Sequence, residues 1–254
     1  MLLTEFDDTK KAILNPEDLI EPFPDFPETA VSCFARATFA HMLADFDYEL
    51  LTSTSMANIE IPIYKIVVEG KALALFNAPV GAAACVAIIV EDLIAFGMKK
   101  LVLFGTCGVL DEDIKETSII VPNYAIRDEG TSYHYLAASD EVEVNRGLQE
   151  FLLNFLDQRG ISHSVGKVWT TDGVYRETAQ KMLARKAAGA ICVDMECSAV
   201  AALALFREIE ICHFFYAADY LSAESWDMRN LSNHADLDEK DKIANLAVQI
   251  ALAL

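Results

Sequence analysis

The chain has 254 residues, 53% of them hydrophobic, and a formal net charge of −19. This length and hydrophobic content suffice for one substantial core, so we expect a single domain over residues 1–254, with residues 1–58 as its divergent N-terminal part. The negative charge excludes nucleic acid and anionic membranes as main partners, because both would repel it, but it is compatible with a local basic pocket for one phosphate.

The N-terminal residues and the cysteines favour a cytoplasmic protein. The start, MLLTEFDDTKK, mixes acids with few apolar residues and does not resemble a signal peptide. The most apolar run, residues 82–90, is too short to span a bilayer. Six cysteines without CxxC spacing and five scattered histidines predict free thiols and no metal site. Free thiols fit a reducing compartment.

The periodicity of apolar residues predicts alternating strands and helices after a proline-rich, extended N-terminal segment. The predicted helices are 28–43, 82–96, 142–158, 177–188, 199–206 and 238–254, and the predicted strands are 61–68 and 72–76, which form a hairpin, then 100–104, 118–122, 164–171, 191–193 and 211–217. This alternation predicts an α/β protein with a three-layer α/β/α domain. The hairpin indicates that its central sheet is mixed.

Residues 191–206, ICVDMECSAVAALALF, place Glu196 where an apolar strand turns into an apolar helix. A carboxylate between two buried elements is costly unless it is paired or hydrogen-bonded, so it is more often functional than an exposed acid. The alternative is that Asp194 or Glu196 caps the helix and complements its dipole. This segment alone favours neither interpretation.

A second segment, LVLFGTCGVL at residues 101–110, is an apolar strand that is predicted to break at Gly105-Thr106-Cys107-Gly108. Glycines there would let backbone amides approach a ligand, and Thr106 offers a hydroxyl. Four further segments follow in order, namely AIRDEGTSYHY (125–135), TTDGVYRET (170–178), VDMECSA (193–199) and YAADYL (216–221).

The order of these segments resembles the purine nucleoside phosphorylase and uridine phosphorylase superfamily, which also contains nucleosidases that use water instead of phosphate. The resemblance covers roughly residues 60–230, and the order is far more specific than any one motif. It implies cleavage of an N-glycosidic bond through an oxocarbenium-like transition state. It also implies phosphate as co-substrate, no other cofactor, and a homo-oligomer, because members often complete their sites across subunits.

The resemblance assigns roles to three residues. Glu196 matches the glutamate that holds the ribose hydroxyls, and Met195 matches the methionine that packs on the sugar. Asp219 matches the aspartate by which purine-cleaving members protonate or hydrogen-bond the departing base. The structural alternatives are helix capping for Glu196, core filling for Met195 and an ordinary acid at a strand end for Asp219.

The nucleobase is left open by conflicting signals. Val174 and Tyr175 match residues beside the base, and Thr106 and Cys107 match substrate contacts. Residues 176–177 depart from the Gln and Arg pair by which uridine phosphorylases recognise uracil. This departure and the presence of Asp219 both favour a purine. Residues 127–134 resemble a uridine phosphorylase pattern instead, unless they are a charged surface loop.

The phosphate site departs from the family. Leu103 stands where phosphorylases carry an arginine, and the N-terminal Gly-Asp-Pro loop with its following arginine is missing. Gly105 and Thr106 offer a backbone nest and a hydroxyl for phosphate, and Arg127 or, second, Arg36 is expected to supply the charge, unless Arg36 is a solvated helix residue.

These observations favour a nucleoside phosphorylase, with a nucleosidase as the close alternative. A nucleoside-binding protein without catalysis is the third possibility. The presence of both Glu196 and Asp219 argues against it, because binding alone needs no acid for the leaving group.

Overall fold

The computed structural model describes residues 2–81, 83–231 and 235–254. Within them, the strands are β1 (Thr29–Cys33), β2 (Tyr48–Met56), β3 (Ile59–Val68), β4 (Lys71–Asn77), β5 (Lys100–Val109), β6 (Ile119–Asp128), β7 (Glu141–Glu143), β8 (His163–Thr171), β9 (Ala190–Asp194), β10 (Glu210–Leu221) and β11 (Trp226–Asp227). The α-helices are α1 (Arg36–Ala44), α2 (Ala83–Phe96), α3 (Gln149–Gln158), α4 (Ala179–Ala187), α5 (Cys197–Arg207) and α6 (Leu237–Ala253).

All eleven strands belong to one mixed sheet, in the order β11-β10-β6-β8-β9-β5-β1-β4-β3-β2, with β7 paired to β6. The strand pairs β1–β4, β1–β5, β5–β10, β6–β8 and β8–β9 are parallel, whereas β5–β9, β6–β10 and β3–β4 are antiparallel. The additional pairing of β5 with β10 joins the two ends of the run β10-β6-β8-β9-β5, so these five strands form a closed ring within the sheet. The predicted mixed sheet is therefore confirmed.

Helices cover both faces of the sheet, as strand β5 illustrates. Val102 and Phe104 point into the core that contains α1, α3 and α6, whereas Leu101 and Leu103 point into the core that contains α2 and α5. Successive side chains of a strand point to opposite faces, which explains this alternation. Both sets are apolar because both faces of the sheet are buried. The arrangement is the predicted three-layer α/β/α fold.

Two predicted helices are partly wrong. The prediction for 28–43 covers β1 and α1, because a five-residue strand buried on both faces has no alternating pattern to separate it from a helix. The prediction for 142–158 covers β7, a turn and α3. Asn145 and Gly147 have φ values of 55° and 78°, which interrupt a right-handed helix.

The other predicted elements agree with the structure within a few residues, except that β5, β6 and β10 are longer. Strands β2 and β11 were not predicted. Ala82, the first residue of the predicted helix 82–96, lies outside the described residues. No helix in the described ranges is long and apolar enough to cross a membrane. In the same residues, no group of three or more His, Cys, Asp and Glu side chains is arranged to hold a metal ion.

Candidate active site

A cavity of about 420 Å³ lies where the carboxyl ends of β5, β9 and β10 meet the first residues of α1 and α5. Open α/β sheets commonly bind ligands at such an edge. Seven of the predicted site residues line the cavity, namely Arg36, Thr106, Cys107, Val174, Met195, Glu196 and Asp219. The structure therefore brings together residues that lie up to 183 positions apart in the chain, counting from Arg36 to Asp219.

Asp194, and not Glu196, caps helix α5. Its carboxylate accepts the backbone N–H groups of Cys197 at 2.7 Å and Glu196 at 3.0 Å, and the Thr170 hydroxyl at 2.6 Å. The carboxylate thus supplies an acceptor for N–H groups at the start of α5, which have no partner within the helix. Burial raises the pKa of Asp194 to about 6, although the three hydrogen bonds oppose that shift.

Glu196 is the residue that immediately precedes α5. It is buried, and it lines the cavity. Its side chain accepts the backbone N–H of Gly81. The neighbouring Met195 approaches the same loop, since its sulfur would lie 3.6 Å from a Cβ added to Gly81. A buried carboxylate and a thioether thus face one wall of the cavity, which suits a ligand with both hydroxyl groups and an apolar face.

Asp219 lies at an irregularity in β10, where the pairing with β5 shifts between Ala217 and Asp219. Such bulges redirect side chains at the ends of strands. Its carboxylate accepts the indole N–H of Trp226 at 2.7 Å, and both of its oxygens would lie 3.2 Å from a Cβ on Gly108. Burial raises the pKa of Asp219, whereas the Trp226 hydrogen bond and the charge of Arg229 lower it.

The segment Gly105-Thr106-Cys107-Gly108 does not break the strand as predicted, because β5 continues to Val109. A Cβ on Gly105 would lie 2.7 Å from Cδ2 of Phe34, so this glycine accommodates the Phe34 ring and does not line the cavity. Thr106 and Cys107 do line it, and the Cys107 thiol lies 3.9 Å from the carbonyl of Tyr216.

Positive charge reaches the cavity from two helices. Arg36, an exposed residue that lines the cavity, is the first residue of α1, and no side chain caps the start of that helix. Lys240 of α6 is only 2% exposed and donates to the carbonyl of Asn230 at 3.0 Å. Burial lowers the pKa of Lys240, and the charge of Asp236 opposes that shift.

Arg127 was predicted as the first phosphate ligand, and the structure places it elsewhere. It is 5% exposed, and its guanidinium donates to the Ser132 and Ser139 hydroxyls and to the carbonyls of Leu136 and Ala137. These bonds hold the loop after β6 in place. A guanidinium whose donors are used in this way, outside the cavity, has a structural role in that loop.

Tyr175, which the resemblance placed beside the base, is also outside the cavity, with 95% of its surface exposed. Val174, one residue earlier, does line the cavity.

Two of the charged residues that line the cavity, Glu177 and Lys240, were not predicted as site residues. Glu177 follows Val174 in a segment already associated with the base, so an acid in that loop was an available signal. Lys240 lies in the polar sequence DEKDK, which gives no indication that one lysine is buried. Leu103, where phosphorylases carry arginine, is fully buried in the core beneath α2 and α5.

Comparison with known proteins places this geometry in a family. The family model described as the phosphorylase superfamily matches residues 38–254. An uncharacterised protein of Acanthamoeba polyphaga mimivirus is 27% identical over 177 residues, which cover 68% of this chain and 67% of that protein. A DeoD-type purine nucleoside phosphorylase of Bacillus cytotoxicus is 24% identical over 169 residues, which cover 66% of this chain and 68% of that protein.

Among solved structures, the uridine phosphorylase of Vibrio fischeri ES114 has the same fold. It superposes with a TM-score of 0.71 at 20% sequence identity, covering 96% of this chain and 95% of that one. The family match spans most of the chain and agrees with the order of the sequence segments and with the sheet topology. This protein therefore belongs to the phosphorylase superfamily.

Proposed function

We propose that this protein is a nucleoside phosphorylase that cleaves a purine nucleoside with phosphate to give the free base and ribose 1-phosphate. The observation that carries the proposal is the meeting of three kinds of group in one cavity. Glu196 is a buried acceptor, Asp219 is a carboxyl with a raised pKa, and Arg36 is a cation at an uncapped helix start. Glycosyl transfer to phosphate needs all three.

The sugar is assigned to Glu196 and Met195. A carboxylate accepts hydrogen bonds from two vicinal hydroxyls, and these bonds strengthen as positive charge develops on the ribose in the transition state. Because Asp194 carries the capping hydrogen bonds of α5, the Glu196 carboxylate can face the cavity. The Met195 thioether provides an apolar surface under the ring.

The base is assigned to Asp219, with Val174 beside it. A protonated carboxyl near the departing purine can donate to the ring nitrogen that receives the electron pair of the broken bond. We propose a purine because Asp219 supplies this group and because residues 176–177 do not provide the Gln and Arg pair. The relatives from Bacillus are named purine nucleoside phosphorylases, whereas the solved Vibrio structures are named uridine phosphorylases.

Phosphate is assigned to Arg36, the first N–H groups of α1 and the Thr106 hydroxyl. A guanidinium binds phosphate in bidentate geometry, and a helix N-terminus favours an anion through its dipole. Lys240 adds a second positive charge to the same cavity. Arg36 was the second choice from the sequence and replaces Arg127 here, because Arg127 lies outside the cavity with its donors engaged.

One observation supports a nucleosidase as the second candidate. Leu103 is buried in the core, so the arginine that phosphorylases place at this position has no replacement on β5. A hydrolase does not need a phosphate ligand, and water would then attack the ribose.

Product analysis decides between these functions. The purified protein is incubated with inosine, adenosine, guanosine and uridine, with and without phosphate, and the sugar product is identified. We expect ribose 1-phosphate and free purine, with turnover that requires phosphate. Free ribose formed at the same rate without phosphate would make the protein a nucleosidase, and cleavage of uridine alone would overturn the purine assignment. Failure to cleave any nucleoside would contradict the catalytic proposal.

We also propose that the protein is a homo-oligomer. Several apolar side chains at or near the cavity are exposed, namely Val80, Val174, Trp226, Met228 and Leu231. Apolar surface of this kind often marks an interface. Light scattering after size-exclusion chromatography should give a mass that is a multiple of 28.0 kDa, and a mass of one chain would contradict it.

A further inference from the structure

The end of β6 and the turn that follows it carry three buried polar side chains, Arg127, Glu129 and Ser132, none of which lines the cavity. The Arg127 guanidinium donates to the Ser132 hydroxyl at 2.8 Å. The backbone N–H of Ser132 donates to one carboxylate oxygen of Glu129 at 2.9 Å. Because buried polar groups are costly unless they are hydrogen-bonded, these contacts hold the three residues as a unit.

The other oxygen of Glu129 connects this unit to helix α5. It accepts the hydroxyl of Ser198, a fully buried residue in the first turn of α5, at 2.8 Å. The backbone N–H of Ser198 donates to the Thr170 hydroxyl at 3.1 Å, and that hydroxyl donates to Asp194 at 2.6 Å. Hydrogen bonds therefore run without a gap from the end of β6 to Asp194, which lines the cavity.

The two hydroxyl groups in this chain have little freedom to reorient. The Thr170 proton is directed at Asp194, which lies opposite it in the β8–β9 pair, and the Ser198 proton is directed at Glu129. Thr170 and Ser198 are both fully buried. In a buried network of this kind, the loss of one partner leaves a polar group unpaired, so each bond helps to fix the next.

The chain ends at the backbone of Glu196. Asp194 accepts the N–H groups of Glu196 at 3.0 Å and Cys197 at 2.7 Å. Glu196 has φ −135° and ψ −24°, outside the helical region, so its backbone is not held in the regular pattern of α5. The direction in which its side chain leaves the backbone therefore depends on where Asp194 lies.

We propose that Glu129 and Ser198 are positioning residues for Glu196, the carboxylate to which the proposed function assigns the ribose hydroxyls. The proposal rests on that function and gives residues 127–132 a role in it, although they do not reach the cavity. Loss of the bond between Glu129 and Ser198 frees the first turn of α5 to shift. A displacement of about 1 Å at a group that orients the substrate can reduce the rate by about 10²-fold.

The kinetic test uses variants at both ends of this bond. Glu129→Gln keeps the size of the side chain but removes its charge and one of its two acceptor oxygens. Ser198→Ala removes the donor. The control is Glu91→Gln, because Glu91 is similarly buried and accepts the Arg207 guanidinium at 2.9 Å, but does not line the cavity.

Glu129→Gln and Ser198→Ala should each lower kcat on inosine by about tenfold and leave the KM for phosphate almost unchanged, since Glu196 is not assigned to the phosphate. N7-methylinosine carries a positive charge on its base, which departs without a proton. The loss on this substrate should be the same as on inosine, because Glu196 acts on the ribose. Glu91→Gln should keep the kcat of the wild type.

A double-mutant cycle distinguishes positioning from a general weakening of the protein. If Glu129 acts through Glu196, Glu129→Gln should change kcat by less than about twofold in the Glu196→Gln background. A general loss of stability would reduce kcat by the same factor in both backgrounds, and that result would overturn the proposal. An unchanged kcat in both single variants would overturn it as well.

Amide hydrogen exchange followed by NMR tests the same connection without a substrate. The N–H groups of Glu196 and Cys197 should exchange about tenfold faster in Glu129→Gln and Ser198→Ala, and at the wild-type rate in Glu91→Gln. Unchanged exchange at both amides would overturn the proposal, even in a protein that cleaves no nucleoside. Faster exchange in such a protein would support the connection to Glu196 and contradict only the proposed function.

Discussion

The carboxylate of Asp194 accepts the backbone N–H of Cys197 at 2.7 Å, and this bond caps helix α5. Glu196 lies between these two residues in the chain and therefore does not have to cap the helix. Its side chain instead accepts the N–H of Gly81 and lines the cavity. Both acids line the cavity, but only the Asp194 carboxylate accepts the backbone N–H groups at the start of α5. The capping role of Asp194 and the cavity role of Glu196 therefore have separate tests.

Glu196→Gln should reduce kcat/KM for the preferred nucleoside by about 10² or more. The amide has the same size but loses the charge that stabilises positive charge on the ribose in the transition state. Steady-state kinetics with a folded variant, verified by circular dichroism, measures the effect. Near-normal turnover would show that Glu196 has only a structural role.

Asp194→Ala should lower the free energy of unfolding by about 1–2 kcal/mol, the usual effect of losing a helix cap. The backbone N–H groups of Glu196 and Cys197 and the Thr170 hydroxyl would all lose their acceptor. Urea denaturation of wild type and variant at pH 7 gives the difference. Equal midpoints with equal slopes would refute the capping role.

Asp219→Asn should slow the cleavage of inosine by about 10²-fold or more while hardly affecting N7-methylinosine. The asparagine still accepts the Trp226 indole N–H but cannot pass a proton to the base. The ratio of the two kcat/KM values is the measurement. Equal losses on both substrates would remove the role in leaving-group protonation and leave Asp219 as a structural residue.

Arg36→Ala should raise the KM for phosphate by about tenfold or more, with a much smaller effect on the KM for the nucleoside. A charge-assisted hydrogen bond contributes about 1.5–3 kcal/mol, and only the anion loses it. Initial rates measured while phosphate and nucleoside are varied separately give both constants.

Arg127→Ala is the matched control for this experiment. Because its guanidinium donates to the loop carbonyls of Leu136 and Ala137, its loss should lower stability without a selective effect on phosphate. A selective rise in the KM for phosphate in Arg127→Ala, and none in Arg36→Ala, would reverse the assignment.

His213→Phe should make the protein less sensitive to acid. His213 is buried between Phe34 and Phe215, its ring nitrogens have no hydrogen-bond partner among the described residues, and burial lowers its pKa to about 3. Below pH 6.5 the unfolded chain binds a proton at this residue that the folded protein does not, so stability falls as the pH falls.

Lowering the pH from 7.5 to 5 should therefore reduce the free energy of unfolding of the wild type by about 2 kcal/mol more than that of the variant. Denaturant unfolding of both proteins at the two pH values checks the prediction. The same loss in wild type and variant would mean that His213 is protonated or hydrated in the folded state.

The sequence determined the parts of this protein that depend on local pattern. The strand and helix around Glu196 follow from an apolar run of the right length, and the order of the site segments identified the family. Strand ends that meet at one edge of a sheet also made the grouping of Thr106, Glu196 and Asp219 predictable. These features require no knowledge of which distant residue packs on which.

Only the tertiary structure decided where individual side chains lie. The sequence favoured Arg127 over Arg36 as the phosphate ligand. The loop that accepts four hydrogen bonds from the Arg127 guanidinium exists only after folding, and so does the helix start that brings Arg36 to the cavity. Gly105 was expected to approach a ligand, but the ring that it accommodates belongs to Phe34, 71 residues earlier.

The same reason explains the missed Lys240 and Glu177. Burial and charge come from elements that are remote in the chain, such as β10, whose Asp219 lines the same cavity as Glu177. Local periodicity indicates which face of an element is apolar. It does not indicate which polar side chains of that element become buried beside a cavity.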